Sequence, residues 1–268
     1  MIVIVGCVIV LSAVLIGFTW SGGHVGALVH PSEIVTIGGA AFGALLVSAP
    51  RKVLGDVFRG LLQTVKGSPY DKQAYFDLFA LLYEFFRIAR RDGLLAWETH
   101  LSDPKASPIF EKYPRIVGNH HVTEFLCDAL STAADGGANP EQLSSLLETE
   151  IRVMDEEHHA AVSALAKTAD ALPGFGIVAA VLGIVVTMQA IDGPVEEIGH
   201  KVGAALVGTF LGILLSYGFI APLVGRMEFL GAAESSYFRT ISAAVVAFLG
   251  GSSPKEVIDI ARRGVAPD

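Results

Sequence analysis

Two long uncharged runs dominate the pattern of hydrophobic and polar positions. No Asp, Glu, Lys, Arg or His occurs between Ala171 and Ile191 or between Val202 and Ala221, and Asp192-Gly-Pro194-Val-Glu-Glu197 separates the two. Each run matches the roughly 20 residues of helix needed to cross the hydrocarbon core of a bilayer. The pattern therefore predicts a transmembrane helical hairpin. Two more apolar runs open the chain. Residues 1–18 are apolar from the first position, with Trp20 where an interfacial aromatic belongs. No Lys or Arg precedes this run, as the n-region of a cleavable signal requires, so it reads as a retained first span. Pro31 then opens a helix with Glu33 in its first turn, and Ile34 to Ala49 completes a second span.

The rest is polar and helical in its spacing. Tyr75, Phe79, Leu82 and Phe86 predict a helix from Lys72 to Arg91 that ends near Gly93. Asp103-Pro104, Ser107-Pro108 and Tyr113-Pro114 are breaks, Arg115 to Ala134 reads as one helix, and Asp135-Gly136-Gly137 as a turn. Asn139-Pro140 caps a helix that runs as one rod towards Thr168 and joins the third span. Arg226 to Leu249 is again helical, and Ser253-Pro254-x-Glu256 is a capping box opening a last helix to Arg263. The expected fold is all-α: a four-span membrane protein with a large cytoplasmic helical domain. Its expected segments are two spans in 1–49, a cytoplasmic domain in 50–167, two spans in 168–225 and cytoplasmic helices in 226–268.

Charge sets the orientation. Of the 19 Lys and Arg, all but Lys201 fall in the middle segment and the C-terminal tail. The positive-inside rule, applied to Arg51, Lys52, Lys167 and Arg226 near span ends, makes that side the cytoplasm and puts both termini there. A chain of 268 residues that is 52% hydrophobic fits this mixture of membrane and soluble parts, and a net charge of -8 gives no reason to expect nucleic-acid binding. Cys7 and Cys127 lie in different environments and suggest neither a disulfide nor a metal site.

Small residues mark the hairpin. Ala204, Gly208, Gly212 and Ser216 recur every four positions on the second helix, Ala179 and Gly183 on the first, and Gly39 and Gly43 do the same on the second span. Such faces let helix backbones approach closely in lipid. They fit a tight hairpin within one subunit, and equally contacts to other subunits or to a foreign helix. The hairpin's polar candidates are Thr187, Thr209, Ser216 and Tyr217, and it holds no carboxylate. Ion paths through membranes are usually marked by an ionisable side chain. An ion-conducting machine built on this hairpin must take its titrating group mainly from a partner.

Other candidate chemistry is thin. Gly174-x-Gly176-x-x-Ala179 matches a dinucleotide fingerprint but lies inside an apolar span with no strand before it. Glu156-Glu157-His158-His159 holds one Glu-x-x-His without the further carboxylates of a di-iron bundle. His120 and His121 point to different helix faces. No HExxH, GxSxG or phosphate loop is present, so no cofactor, metal or enzymatic catalysis is expected. The patch Arg87, Arg90, Arg91, Asp92 and Glu98 sits where a helix ends and resumes. It reads either as a partner surface or as a solvated helix end with local ion pairs, and under both readings Arg90→Ala leaves folding intact. Pro173 and Pro222 fall at the cytoplasmic ends of the two hairpin helices, where they either begin or end spans or serve as paired breaks that carry movement.

The strings PGFGIVAAVLGIV, GTFLGILLSYGFIAPL, GGHVGALVHPSEIVTIGGAAFGA and IFEKYPRI closely resemble the flagellar stator proteins of the MotA/TolQ/ExbB family, over nearly the whole chain. The resemblance implies a homopentameric ring in the bacterial inner membrane around two copies of MotB, a single-span partner whose aspartate carries the ion and whose outer domain grips peptidoglycan. Carried over by position, Arg90 and Glu98 match charged residues that engage the rotor protein FliG, with Arg87 and Glu150 as further rotor-side candidates. Pro173, Pro222 and Asp170 match residues that couple ion passage to movement, and Thr209 matches a threonine of the ring's inner face. Ala180 stands where sodium-type relatives carry a threonine, which implies protons as the driving ion. TolQ/ExbB-type energisers, the alternative within the family, have three spans and an outer N-terminus. Outside the family, the alternative is a membrane scaffold without ion flow.

Overall fold

The computed structural model describes residues 2–135, 139–189 and 191–265, and every regular element among them is helical. Four helical stretches are long and apolar enough to cross a membrane: Ile2–Trp20, Val25–Ser48, Pro140–Met188 and Val195–Leu249. The protein is an all-α, four-span membrane protein. Its chain folds into two compact units, one made of Met1–Gly67 and Glu157–Leu230, the other of Ser68–Glu156 and Gly231–Asp268.

The first unit holds the spans. Helix α1 (Ile2–Trp20) buries none of its residues; its apolar surface suits lipid, which gives no drive to pack inward. A single turn at Val25–Leu28 leads to α2 (Pro31–Ser48), which starts at Pro31 with Glu33 in its first turn, as the sequence predicts. Glu33 is buried and accepts a hydrogen bond from the Ser32 hydroxyl at 2.7 Å. Helix α3 (Arg51–Lys66) follows, then the later part of α8 (Pro140–Met188), α9 (Val195–Ile213), a π-helical segment at Leu214–Ile220 and the start of α10 (Ala221–Leu249). Ile37 and Ala41 of α2 pack on Leu172 and Ala179 of α8. Leu45, Val57, Val162, Leu165, Val224 and Met227 form a second cluster. There Gly60 of α3 lies so close to the Met227 side chain that a Cβ would stand 2.4 Å from its terminal methyl.

In the second unit, α4 (Lys72–Asp92) buries Leu78, Leu81, Leu82, Phe85, Phe86 and Ala89 on one face, the helical spacing read from the sequence. Asp71 caps it by accepting the Ala74 N–H at 2.9 Å. A turn at Leu94–Trp97 and α5 (Glu98–Leu101) bring Trp97 fully into the core, where its indole N–H donates to the Phe85 carbonyl at 2.8 Å. The expected helix from Arg115 to Ala134 is instead two: α6 (Pro114–Val117) and α7 (His120–Ala134). Asn119 breaks it, because its side-chain oxygen accepts the Val122 N–H and starts a new helix. Gly136 and Gly137, expected in a turn, lie outside the described residues. Ser235 and Arg239 of α10 both bond Asp155 of α8. Helix α11 (Pro254–Arg263) carries the predicted capping box between Ser253 and Glu256.

Candidate functional site

The hairpin of α8 and α9 is the candidate ion-path element, and its helices cross almost backbone to backbone. A Cβ added at Gly176 would stand 2.9 Å from the Gly208 carbonyl oxygen, and one at Gly212 would stand 2.6 Å from that of Leu172. Gly183 likewise meets the Ala205 backbone, with its Cα 3.0 Å away. The small face is therefore used inside the subunit, as a tight hairpin. Ala205, not Ala204, completes it. Stepping by four along an α-helix rotates about 40° each time, so three steps back from Ser216 leave the face, whereas Ala205 lies seven before Gly212 and returns to it.

Ala180 and Thr209 flank this crossing. The Ala180 nitrogen is 3.3 Å from where a Gly208 Cβ would stand, and the Thr209 Cα is 3.3 Å from the corresponding point on Gly176. Both side chains are half-buried. Of the four polar candidates, Thr187 is spent on its own helix, donating to the Gly183 carbonyl at 2.8 Å. Ser216 reaches across to α8 and donates to the Ala169 carbonyl at 2.6 Å, while Tyr217 is largely exposed. Neither the Thr209 nor the Tyr217 hydroxyl has a hydrogen-bond partner among the described residues.

Both prolines lie within helix. Pro173 is internal to the 49-residue α8, which continues past it to Met188. Pro222 is the second residue of α10, directly after the π segment. A widened turn relieves the clash of a proline ring with the carbonyl four residues back. Neither proline ends its helix. Asp170, one turn before Pro173 on α8, is exposed.

In the second unit, the charged patch sorts itself by pairing. Helix α4 ends at Gly93, whose φ of 91° is left-handed, so Arg90 and Glu98 lie on separate helical segments. Arg91 pairs with Asp92 at 2.7 Å. Glu84 accepts from Lys112 at 2.7 Å and from the Tyr113 hydroxyl at 3.0 Å; burial, with that carboxylate, pushes the Tyr113 phenol up to about 12. Arg90 does not form a local ion pair. Its guanidinium donates to the Gly251 and Ser252 carbonyls at 2.6 and 2.9 Å and lies over the Phe248 ring. Arg87 and Glu98 are exposed and have no partner among the described residues. Glu150 of α8 is half-buried, and burial, together with Asp128 and Glu124 of α7, raises its carboxyl above the usual range.

The Ser216 bond and the fixed role of Arg90 were beyond local sequence reading, since their partners lie 47 and 161 positions away. The Glu156–His159 run holds no assembled site. Glu157 pairs with Lys52, Arg152 lies near Glu156, and the His158 ring bonds the Met227 carbonyl at 2.9 Å.

Comparison with known proteins agrees with this architecture. Residues 4–93 match the motility protein A N-terminal model and residues 118–235 the MotA/TolQ/ExbB proton channel family model. The chain is 35% identical over 263 residues to motility protein A of Salmonella typhimurium, covering 98% of this chain and 89% of that protein. It is 37% identical over 263 residues to chemotaxis protein LafT of Vibrio parahaemolyticus, covering 98% and 92%. The structure of C. jejuni MotAB shares its fold, with a TM-score of 0.81 at 23% identity, over 99% of this chain and 96% of that one. Four spans, two charge-free runs in the hairpin and 35% identity over nearly the whole chain converge: the chain belongs to the motility protein A branch of the MotA/TolQ/ExbB proton channel family.

Proposed function

We propose that this chain is the ring subunit of a flagellar stator, which with a MotB partner couples proton flow across the inner membrane to torque. One observation carries the reading: the hairpin at the heart of a proton-channel family member holds no Asp, Glu, Lys, Arg or His between Ala171 and Ile191 or between Val202 and Ala221. The hairpin itself then offers no proton-carrying carboxylate, and a single-span MotB helix supplies it. Thr209 and Ala180 flank the crossing at which that helix is met. Ala180, lacking a hydroxyl to replace ion hydration, favours protons over sodium. Pro173 and Pro222, with Asp170, turn ion passage into helix movement.

The subunit assembles as a homopentamer in the bacterial inner membrane with both termini in the cytoplasm. Residues 1–49 and 168–225 span the bilayer, and 50–167 and 226–268 lie in the cytoplasm. The rotor protein FliG docks on the unpaired charges Arg87 and Glu98, with Arg90 shaping that surface from behind and Glu150 adding an acidic position. The test is charge reversal. Arg87→Glu and Glu98→Lys, each with its MotB partner, are expected to abolish swarming at normal membrane levels of the protein and normal proton flux. Normal swarming in both would refute the docking assignment. A TolQ/ExbB-type energiser has three spans, and the four found here stand against it.

A further inference from the structure

A proline inside a helix cannot donate to the carbonyl four residues back. For Pro173 that carbonyl belongs to Ala169. The structure gives it another donor: the Ser216 hydroxyl, completely buried, lies 2.6 Å away. Ser216 is the third residue of the seven-residue π segment Leu214–Ile220, which ends immediately before Ala221-Pro222. Gly212, one turn earlier, lets the two backbones close to the separation this bond needs, since the Leu172 carbonyl oxygen lies 2.6 Å from the place its Cβ would take. The π turn and the bond go together. Returning the segment to ordinary α pitch winds each turn tighter, from bonds spanning five residues to bonds spanning four, and so turns Ser216 away from Ala169.

We propose that Ser216 is a positioning residue of the stator. Its hydroxyl replaces the N–H that Pro173 lacks and ties the proline turn of the third span to the π turn of the fourth. The two prolines are then one linked device rather than two hinges: movement at Pro173 releases the Ala169 carbonyl only if Ser216 lets go, and Ser216 lets go when the π turn before Pro222 relaxes. The functional meaning rests on the stator reading; the bond itself does not.

The test is a double-mutant cycle on the full chain purified with its MotB partner, read by thermal unfolding. Ser216→Ala is expected to lower Tm by roughly 2–6 °C, the effect of leaving a buried carbonyl without its donor. In a Pro173→Ala background, residue 173 supplies its own N–H to Ala169, and Ser216→Ala should cost less than about a third as much. Equal losses in both backgrounds would show that Ser216 only fills space and would overturn the proposal. Ser216→Cys, close in size but a weak donor, should fall between serine and alanine; a Tm equal to wild type would also count against the bond. At matched membrane levels, Ser216→Ala should cut swimming speed several-fold. Undiminished speed alongside a coupled Tm cycle would overturn the positioning role. Failure of the stator reading is separately visible: the unaltered chain would not restore swimming, while the Tm cycle would be unchanged.

Discussion

Arg90→Ala tests how a residue that matches a rotor contact is used within its own subunit. Helix α10 stops at Leu249 with a glycine-based cap: the Gly251 N–H bonds the Phe248 carbonyl at 3.0 Å, the Ser252 N–H bonds that of Ala247 at 3.2 Å, and Gly251 has a φ of 95°. Arg90 completes this end by donating to the Gly251 and Ser252 carbonyls and covering Phe248, its guanidinium carbon 5.3 Å from the ring centroid. Phe248 in turn stacks on Phe86 with centroids 4.4 Å apart, so the cap is fastened to the core. Hydrogen bonds from a charged donor are worth about 1.5–3 kcal/mol when sheltered and less at this exposed site. An exposed cation–π contact adds about 0.5–1 kcal/mol, and a cation at a helix C-terminus adds about 0.3–1 kcal/mol. Together these suggest a loss of about 2 kcal/mol, or roughly 4–8 °C in Tm for a chain of this size. Arg90→Lys keeps the charge but not the planar fork and should fall in between. Arg87→Ala should move Tm by no more than about 1–2 °C, as unpartnered surface changes do. Thermal unfolding of the purified protein reads all three. If Arg90→Ala unfolds at the same temperature as Arg87→Ala, Arg90 is not part of the cap, and the assignment of rotor contact to Arg87 loses its basis.

Three further outcomes follow from the same geometry. Gly212→Ala should reduce folded protein in membranes and lower stability by about 1–3 kcal/mol, because the new methyl meets the Leu172 carbonyl oxygen at 2.6 Å; Gly174→Ala, with nothing within 4 Å, should not. Burial, with Asp128 and Glu124 nearby, holds the folded Glu150 carboxyl above the ordinary carboxylate range, so its ionisation opposes folding and stability falls as pH rises from the unfolded towards the folded value. Glu150→Gln should therefore raise Tm at pH 7, and the gain should vanish below about pH 4, where the acid is protonated in both states. Trp97→Ala should cost about 3–5 kcal/mol by emptying a core position, read by loss of soluble, unaggregated protein in detergent.

Elements set by short-range chemistry were readable in the sequence. Pro31, Pro140 and the Ser253–Glu256 box start helices where expected, and uncharged runs mark the spans, because caps and charge burial act within a few residues. The break at Asn119 was missed although Gly118-Asn119 is a stop signal, since apolar spacing continues across it. Ala205 was missed because a strict repeat of four drifts off an α-helical face. The role of Arg90 could not be read at all. A charge near a helix end looks the same in sequence whether water or a distant carbonyl receives it, and only the fold brings Gly251 to it. Ser216 was legible as a small polar residue on the hairpin, but its partner is defined by the N–H that a proline on another helix lacks.

The central claim is that proton passage at a shared interface with MotB moves this hairpin through its prolines. The most direct measurement is proton flux and swimming together, for the unaltered chain and for Pro173→Ala, each with and without the MotB partner at matched membrane levels. Flux is expected only when the partner is present, with loss of swimming in Pro173→Ala while the protein still accumulates. Flux from the chain alone would contradict a partner-borne carboxylate, and normal swimming in Pro173→Ala would contradict coupling through the hairpin.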